Sequence, residues 1–181
     1  MKLEDFKTEM AARDAEYAID WWATEKRLKE AMAMAMAMAR DIQLMQEGRS
    51  ERAVAHRLAV YLEDRFPRWH VDCEYNRQGT ANSYGAREKK SVSPGRGLPG
   101  PPGNPSSVDI DPDIIVHQRG PDGPNLLVIE VKPVGVDLKK DLAKLRKCLT
   151  EPHLRYRFAV SVTYRMGTEA GFAPLNRVFP E

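Results

Sequence analysis

The chain has 181 residues with a formal net charge of +2, 42% apolar and 30% charged, a balance that fits one globular domain with an appendage at most. So small a net charge excludes bulk charge as a basis for nucleic-acid binding, and no stretch reaches the roughly 18 apolar residues of a membrane span. Cys73 and Cys148 stand far apart with no CxxC pair, which excludes a zinc ribbon or disulfide framework and, with an N-terminus of Lys, Glu and Asp in place of an apolar leader, points to the cytoplasm.

The segment from Lys2 to Glu47 reads as wholly helical. It lacks Pro, has no Gly before Gly48, and is rich in Ala, Met, Glu and Lys. Phe6, Met10, Tyr17, Trp21 and Leu28 recur at near-helical spacing, and the alternating Ala and Met of Ala31 to Ala39 are poor strand formers. A helix apolar all round needs a cover, either the chain's own core or a second copy. Residues 1–48 therefore form an N-terminal helical extension and 49–181 the main domain, with the extension a candidate homo-oligomer contact.

Gly48 ends the first segment and Ser50 caps a second helix, Glu51 to Arg65, stopped by Pro67. Glu51 lies on the stripe formed by Ala55, Leu58 and Leu62, so it needs a partner. Trp69, Val71, Cys73 and Tyr75 alternate with polar residues as a half-buried strand. Gln78 to Ser107 is a Gly/Pro/Ser-rich loop in which Arg87, Lys89, Lys90 and Arg96 outnumber Glu88. Strands follow at Val108 to His117, Leu126 to Lys132 and Arg157 to Tyr164, with a helix, Asp137 to Leu149, before the last and a short strand near Val178 after it. Leu138, Leu142, Leu145 and Leu149 make that helix's apolar stripe, and Lys139, Lys140, Lys144, Arg146 and Lys147 fill its other faces. The expected fold is α/β, a mixed central sheet flanked by helices.

Glu130 and Lys132 are one residue apart on a strand, so both project from one face. Asp113 sits near the strand before, and pairing the two strands as a hairpin brings it close to Glu130. Two adjacent carboxylates repel unless a cation sits between them, and Mg²⁺ takes one or two carboxylates plus water or phosphate oxygens. Lys132 can orient a water or offset phosphate charge, and the Val131 carbonyl offers a further oxygen. Each residue has a plainer reading. Asp113 can end a turn, with Asp109 and Asp111 as rivals if the register slips. Glu130 and Lys132 can be an exposed cross-strand pair, and Glu51 a first-turn acid favoured by the helix dipole. Glu74 is another carboxylate, expected to pair with Arg77 or a neighbouring strand. The four histidines read as structural, with His117 the best placed to join a site. The basic helix can be only a solvated face.

Pro112-Asp113 followed 17 residues on by Glu130-Val131-Lys132 resembles the PD-(D/E)xK nuclease signature. That superfamily places a Glu on the helix before its first core strand, as Glu51 is here, and a helix, often basic, followed by a strand after the Lys. The resemblance covers Ser50 to Tyr164. Arg57-Leu58-Ala59, Glu74-Tyr75-Asn76-Arg77 and Pro112 to His117 further resemble a group of small bacterial nuclease-like proteins. The resemblance implies a restriction-endonuclease-like core and a Mg²⁺-dependent endonuclease, Mn²⁺ substituting, that cuts DNA in preference to RNA and leaves a 5′-phosphate. Asp113, Glu130 and the Val131 carbonyl would hold metal, Lys132 would assist the water, and Glu51 would help position the metal or its waters. Arg77, Lys90, Lys140 and Lys144 are candidate phosphate contacts. The contrasting expectation is a nucleic-acid-binding or assembly module whose site is not used, or an enzyme switched on by assembly through residues 1–48.

Overall fold

A computed structural model describes residues 18–74, 111–119, 123–152 and 154–180 in full, and 77–78, 88–89, 91–92 and 108–109 in backbone only. Phe6, Met10 and Tyr17, and most of the basic loop, Lys90 included, lie outside the described residues.

The described part of the N-terminal segment holds two helices where one was expected: α1 (Trp21–Ala37) and α2 (Ala39–Gln46). Asp20 caps α1 by accepting from the Ala23 N–H at 2.8 Å. Met38 then turns extended, with φ −96° and ψ 110°, and breaks the run. Ala and Met are both good helix formers, so nothing local announces that break; tertiary packing sets it. At the end of α2 the backbone N–H of Arg49 bonds to Leu44 O at 2.9 Å and that of Gly48 to Met45 O at 3.2 Å. Gly48 has φ +63°. This paired closure needs a left-handed residue, which glycine adopts without a Cβ clash. The chain then enters α3 (Glu51–Arg65), where Ser50 Oγ accepts from the Ala53 N–H at 3.3 Å.

The central sheet runs β1 (His70–Cys73), β6 (Ile114–His117), β7 (Asn125–Pro133), β8 (Phe158–Arg165), β10 (Asn176–Val178), with β9 (Gly171–Phe172) on the far end of β8. β6 is antiparallel to both neighbours, and β7 and β8 are parallel. The sheet is therefore mixed, as the sequence suggests, and the parallel pair needs the crossover helix α4 (Lys139–Thr150). The stretch read as one strand from Val108 is divided: β5 (Val108–Asp109) pairs with β4 (Ser91–Val92), and β6 begins only at Ile114. A second small ladder joins β2 (Arg77–Gln78) to β3 (Glu88–Lys89), so parts of the expected loop are paired backbone.

The side chains of β7 alternate between two cores. Leu127, Ile129 and Val131 face a cluster with Leu28, Ala31, Met32 and Ala35 of α1 and Leu58 and Leu62 of α3. Val128 faces a smaller cluster with Leu145 and Cys148 of α4. The methionine-rich helix is thus covered by its own chain, α1 packing with α3 on one face of the sheet. β7 is central and buried nearly throughout, as its unbroken apolar run predicts. No described helix is long and apolar enough to cross a membrane.

Candidate active site

The strand register sets the site. Ile114 pairs with Ile129, so Asp113, one residue before β6, comes level with Glu130. Asp113 lies in a bend rather than in the strand, and its Oδ2 accepts from the Val131 N–H at 2.7 Å. The side chain therefore occupies the place a continuing ladder partner would take. N–H and C=O of one strand residue point to the same edge, so the Val131 carbonyl also faces Asp113. All of this lies at the C-terminal ends of the parallel strands β7 and β8, where open α/β sheets usually place their ligands.

Glu130 projects toward α4 and is only 1% exposed. Its Oε1 lies 2.6 Å from Lys144 Nζ, and its Oε2 lies 3.9 Å from Lys132 Nζ. Neither oxygen has an aligned hydrogen-bond donor among the described residues. Its strand neighbour Ser161, opposite it on β8, is also buried with an unbonded Oγ. Burial pushes the Glu130 carboxyl up, the charge of Asp113 adds to this, and Lys144 and Lys132 pull it back only partly, leaving it at about 8.

Lys132 stands between three carboxylates. It donates to Glu51 Oε1 and lies 3.7 Å from Asp113 Oδ2 and 3.9 Å from Glu130 Oε2. Glu51, at the first turn of α3, thus has the partner that its place on an apolar stripe demands. Burial lowers the Lys132 pKa, but Glu51 and Asp113 outweigh that and hold it above the ordinary lysine value.

All four residues of the expected constellation converge: Glu51, Asp113, Glu130 and Lys132. Of the rivals, Asp111 is exposed and contributes its backbone carbonyl, to Lys144 at 3.4 Å. The Asp109 side chain lies outside the described residues. Glu74 pairs with Arg52 at 2.6 Å, because α3 brings Arg52 to the end of β1. His117 is not a site residue: its Nε2 lies 2.8 Å from Asp72 Oδ2, and Arg119 also binds Asp72. Asp113 lies in a bend before β6, so the strand alternation that would have put it on the face of His117 does not reach it.

The basic residues divide. Lys140 is exposed on α4, whereas Lys144, expected on a solvated face, points inward to Glu130. The Arg77 side chain and all of Lys90 fall outside the described residues. Tyr164, buried on β8 opposite Pro133, is a neighbour of the site that sequence reasoning missed. Burial and the charges of Glu51 and Asp113 raise its phenol above the ordinary value, against the opposing pull of Lys132. A tyrosine ending the strand parallel to Glu-Val-Lys was the available signal.

Beside Asp113 a cavity of about 220 Å³ is lined by Arg52, Ala55, His56, Cys73 and Glu74. Pockets for drug-sized ligands run to about 300–1,000 Å³, so this one is smaller than those. Burial pushes the Cys73 thiol up to about 11, so the thiol on the cavity wall is neutral.

Among the described residues no three His, Cys, Asp or Glu side chains form a ready-made metal cage. The chain matches no family model, no curated protein and no solved structure.

Proposed function

We propose that this chain is a divalent-metal-dependent nuclease of the PD-(D/E)xK type, built on a restriction-endonuclease-like core and hydrolysing DNA in preference to RNA. The observation that carries the reading is Glu130: a carboxylate almost wholly buried, its Oε2 without a hydrogen-bond donor among the described residues, level with Asp113 and beside Lys132. A buried carboxylate lacking donors is costly unless a cation completes it. The donor set fits Mg²⁺ or Mn²⁺, which need only one or two carboxylates and fill the remaining positions with water and phosphate oxygens. Asp113 and Glu130 would hold the ion, with the Val131 carbonyl on the same edge. Bound there, it would supply charge for the phosphate and a more acidic water.

The chain's own groups do the rest. The Val131 N–H fixes Asp113 by its Oδ2. Glu51 holds the Lys132 ammonium at the mouth of the site, where it can orient a water or stabilise charge gathering on phosphate oxygens. The antiparallel β6–β7 pair followed by the parallel β7–β8 pair with α4 between supports the core assignment. The preference for DNA rests on the resemblance of the signature alone.

The test is cleavage of single-stranded DNA, duplex DNA and RNA with Mg²⁺, Mn²⁺ or EDTA, beside Lys132→Ala and Asp113→Asn. Metal-dependent cutting should fall by about 100-fold or more in each variant while circular dichroism stays native, the scale of losing one preorganised electrostatic group. Full activity in either variant would overturn the assignment.

A further inference from the structure

The two oxygens of Glu130 have different surroundings. Oε2 lies on the Lys132 side, near Asp113. Oε1 faces α4 and is taken by Lys144 Nζ at 2.6 Å. That ammonium also lies 3.9 Å from Asp141 Oδ1 and donates to the Asp111 carbonyl at 3.4 Å. Two carboxylates and a backbone carbonyl are the oxygen set that a hard cation takes. Here a lysine fills it.

We infer that Lys144 is a built-in cation on one side of Glu130, so that the site takes a single divalent ion, on the Asp113 side. This rests on the metal-site reading above. Two-ion phosphodiesterases place their metals about 3.5–4 Å apart, bridged by a shared group. A second ion on Oε1 would have to expel Lys144 from Asp141 and Asp111 together. It would also add charge beside Lys132, whose ammonium already stands within 4 Å of Glu130 and Asp113. Glu130 is the independent sign that the cluster is a site and not merely acidic: it is buried, and its Oε2, on the Asp113 side, has no hydrogen-bond partner among the described residues. The ammonium is at once a fixed counter-charge and a competitor for the first ion, because like charges a few ångströms apart in a part-buried site repel strongly.

Lys144 therefore belongs to the metal-holding machinery and not to the surface that tracks nucleic acid. Its role is positional: it sets how many ions enter and how tightly.

The experiment is titration of the full chain with Mn²⁺ in the absence of nucleic acid, followed by calorimetry and by the electron paramagnetic resonance of free Mn²⁺. Wild type should bind one ion per chain. Lys144→Met should bind its first ion at least tenfold tighter, and Lys144→Arg should keep one ion with affinity within about threefold of wild type, the smaller change expected when the charge is retained. Two ions in wild type, or an unchanged or weaker first affinity in Lys144→Met, would overturn the inference. So would no binding in any form, which would remove the metal site too. Tight binding of one ion without cleavage of any substrate would defeat the nuclease reading and leave this one standing. Should Lys144→Met fail to fold, the wild-type stoichiometry still decides.

Discussion

Two buried carboxylates in this molecule make a useful pair. Asp41, on α2, is 3% exposed and saturated: Arg57 donates to Oδ1 from Nε at 2.8 Å and to Oδ2 from its terminal nitrogen at 3.3 Å, and the Tyr61 hydroxyl donates to Oδ2 as well. Glu130, on β7, is equally buried and has ammonium groups nearby but no aligned donor. Burial pushes both carboxyls up. At Asp41 the hydrogen bonds of Arg57 and Tyr61 more than reverse this, and its pKa lies below the ordinary value. At Glu130 Lys144 and Lys132 offset it only in part. The first arrangement ties α2 to α3. The second leaves a buried carboxyl only partly compensated at the end of the sheet, as a site does when its missing partner is a ligand.

The largest effect that would sharpen this contrast is on activity. Glu130→Gln should lower metal-dependent cleavage by about 100-fold or more, since it removes the charge that would hold the ion. The same substitution should leave the metal-free fold unharmed or stabilise it by about 1 kcal/mol, because a poorly compensated buried charge is gone. Asp41→Ala should do the reverse, costing about 3 kcal/mol by stranding Arg57 and Tyr61, with little loss of cleavage per folded molecule. Urea denaturation beside a cleavage assay separates the two. Equal losses of stability at both positions would erase the distinction drawn here.

A smaller effect concerns pH. The Glu130 carboxyl is raised from 4.5 to about 8, so between those values the unfolded chain has lost a proton that the folded chain keeps. In EDTA, stability should therefore fall as pH rises through that window. Asp41 has the opposite sign. Its depressed pKa stabilises the fold above the unfolded carboxyl value of about 3.9, and that stability is lost as pH drops through the folded value. Thermal melts across pH should show Glu130→Gln flattening the neutral slope and Asp41→Asn the acid slope. A neutral slope unchanged in Glu130→Gln would mean that Lys144 and Lys132 compensate the charge after all.

The two clusters also differ in how far the sequence revealed them. Glu51, Asp113, Glu130 and Lys132 were legible because strand period, helix stripe and a hairpin register are short-range rules, and each placed one charged group where an apolar one belonged. Asp41 was not legible. Its partners lie 16 and 20 residues away on another helix, and only the break at Met38 turns α2 toward them. Glu51 shows the boundary between the two cases: its need for a partner followed from its stripe, but the identity of that partner, Lys132, required the packing of α3 on the sheet. The contact of Lys144 with Glu130 was not legible because charge runs on helices look alike in sequence. Which of several lysines points inward depends on the rotation of α4 against β7 and β8, and the flanking leucines fix that only to within a turn.

Lys140 and Lys144, one turn apart on α4, give the smallest effect and the finest test of that rotation. Lys140 is exposed, and Lys144 is held at Glu130. Replacing a lysine that contacts phosphate weakens nucleic-acid binding and lowers the salt slope by about one unit. Lys140→Ala should therefore reduce affinity for an oligonucleotide a few-fold, with the slope of log K against log salt smaller by about one. In EDTA, Lys144→Met should leave that slope unchanged, because its ammonium is spent on Glu130, Asp141 and Asp111 and releases no counterion. Fluorescence anisotropy from 50 to 200 mM salt reads both. A slope lowered equally by the two substitutions would put Lys144 on the phosphate backbone and return α4 to a uniformly basic face. Lys144 altering metal affinity and Lys140 altering the salt slope would instead show one helix serving the ion from one side and the nucleic acid from the other.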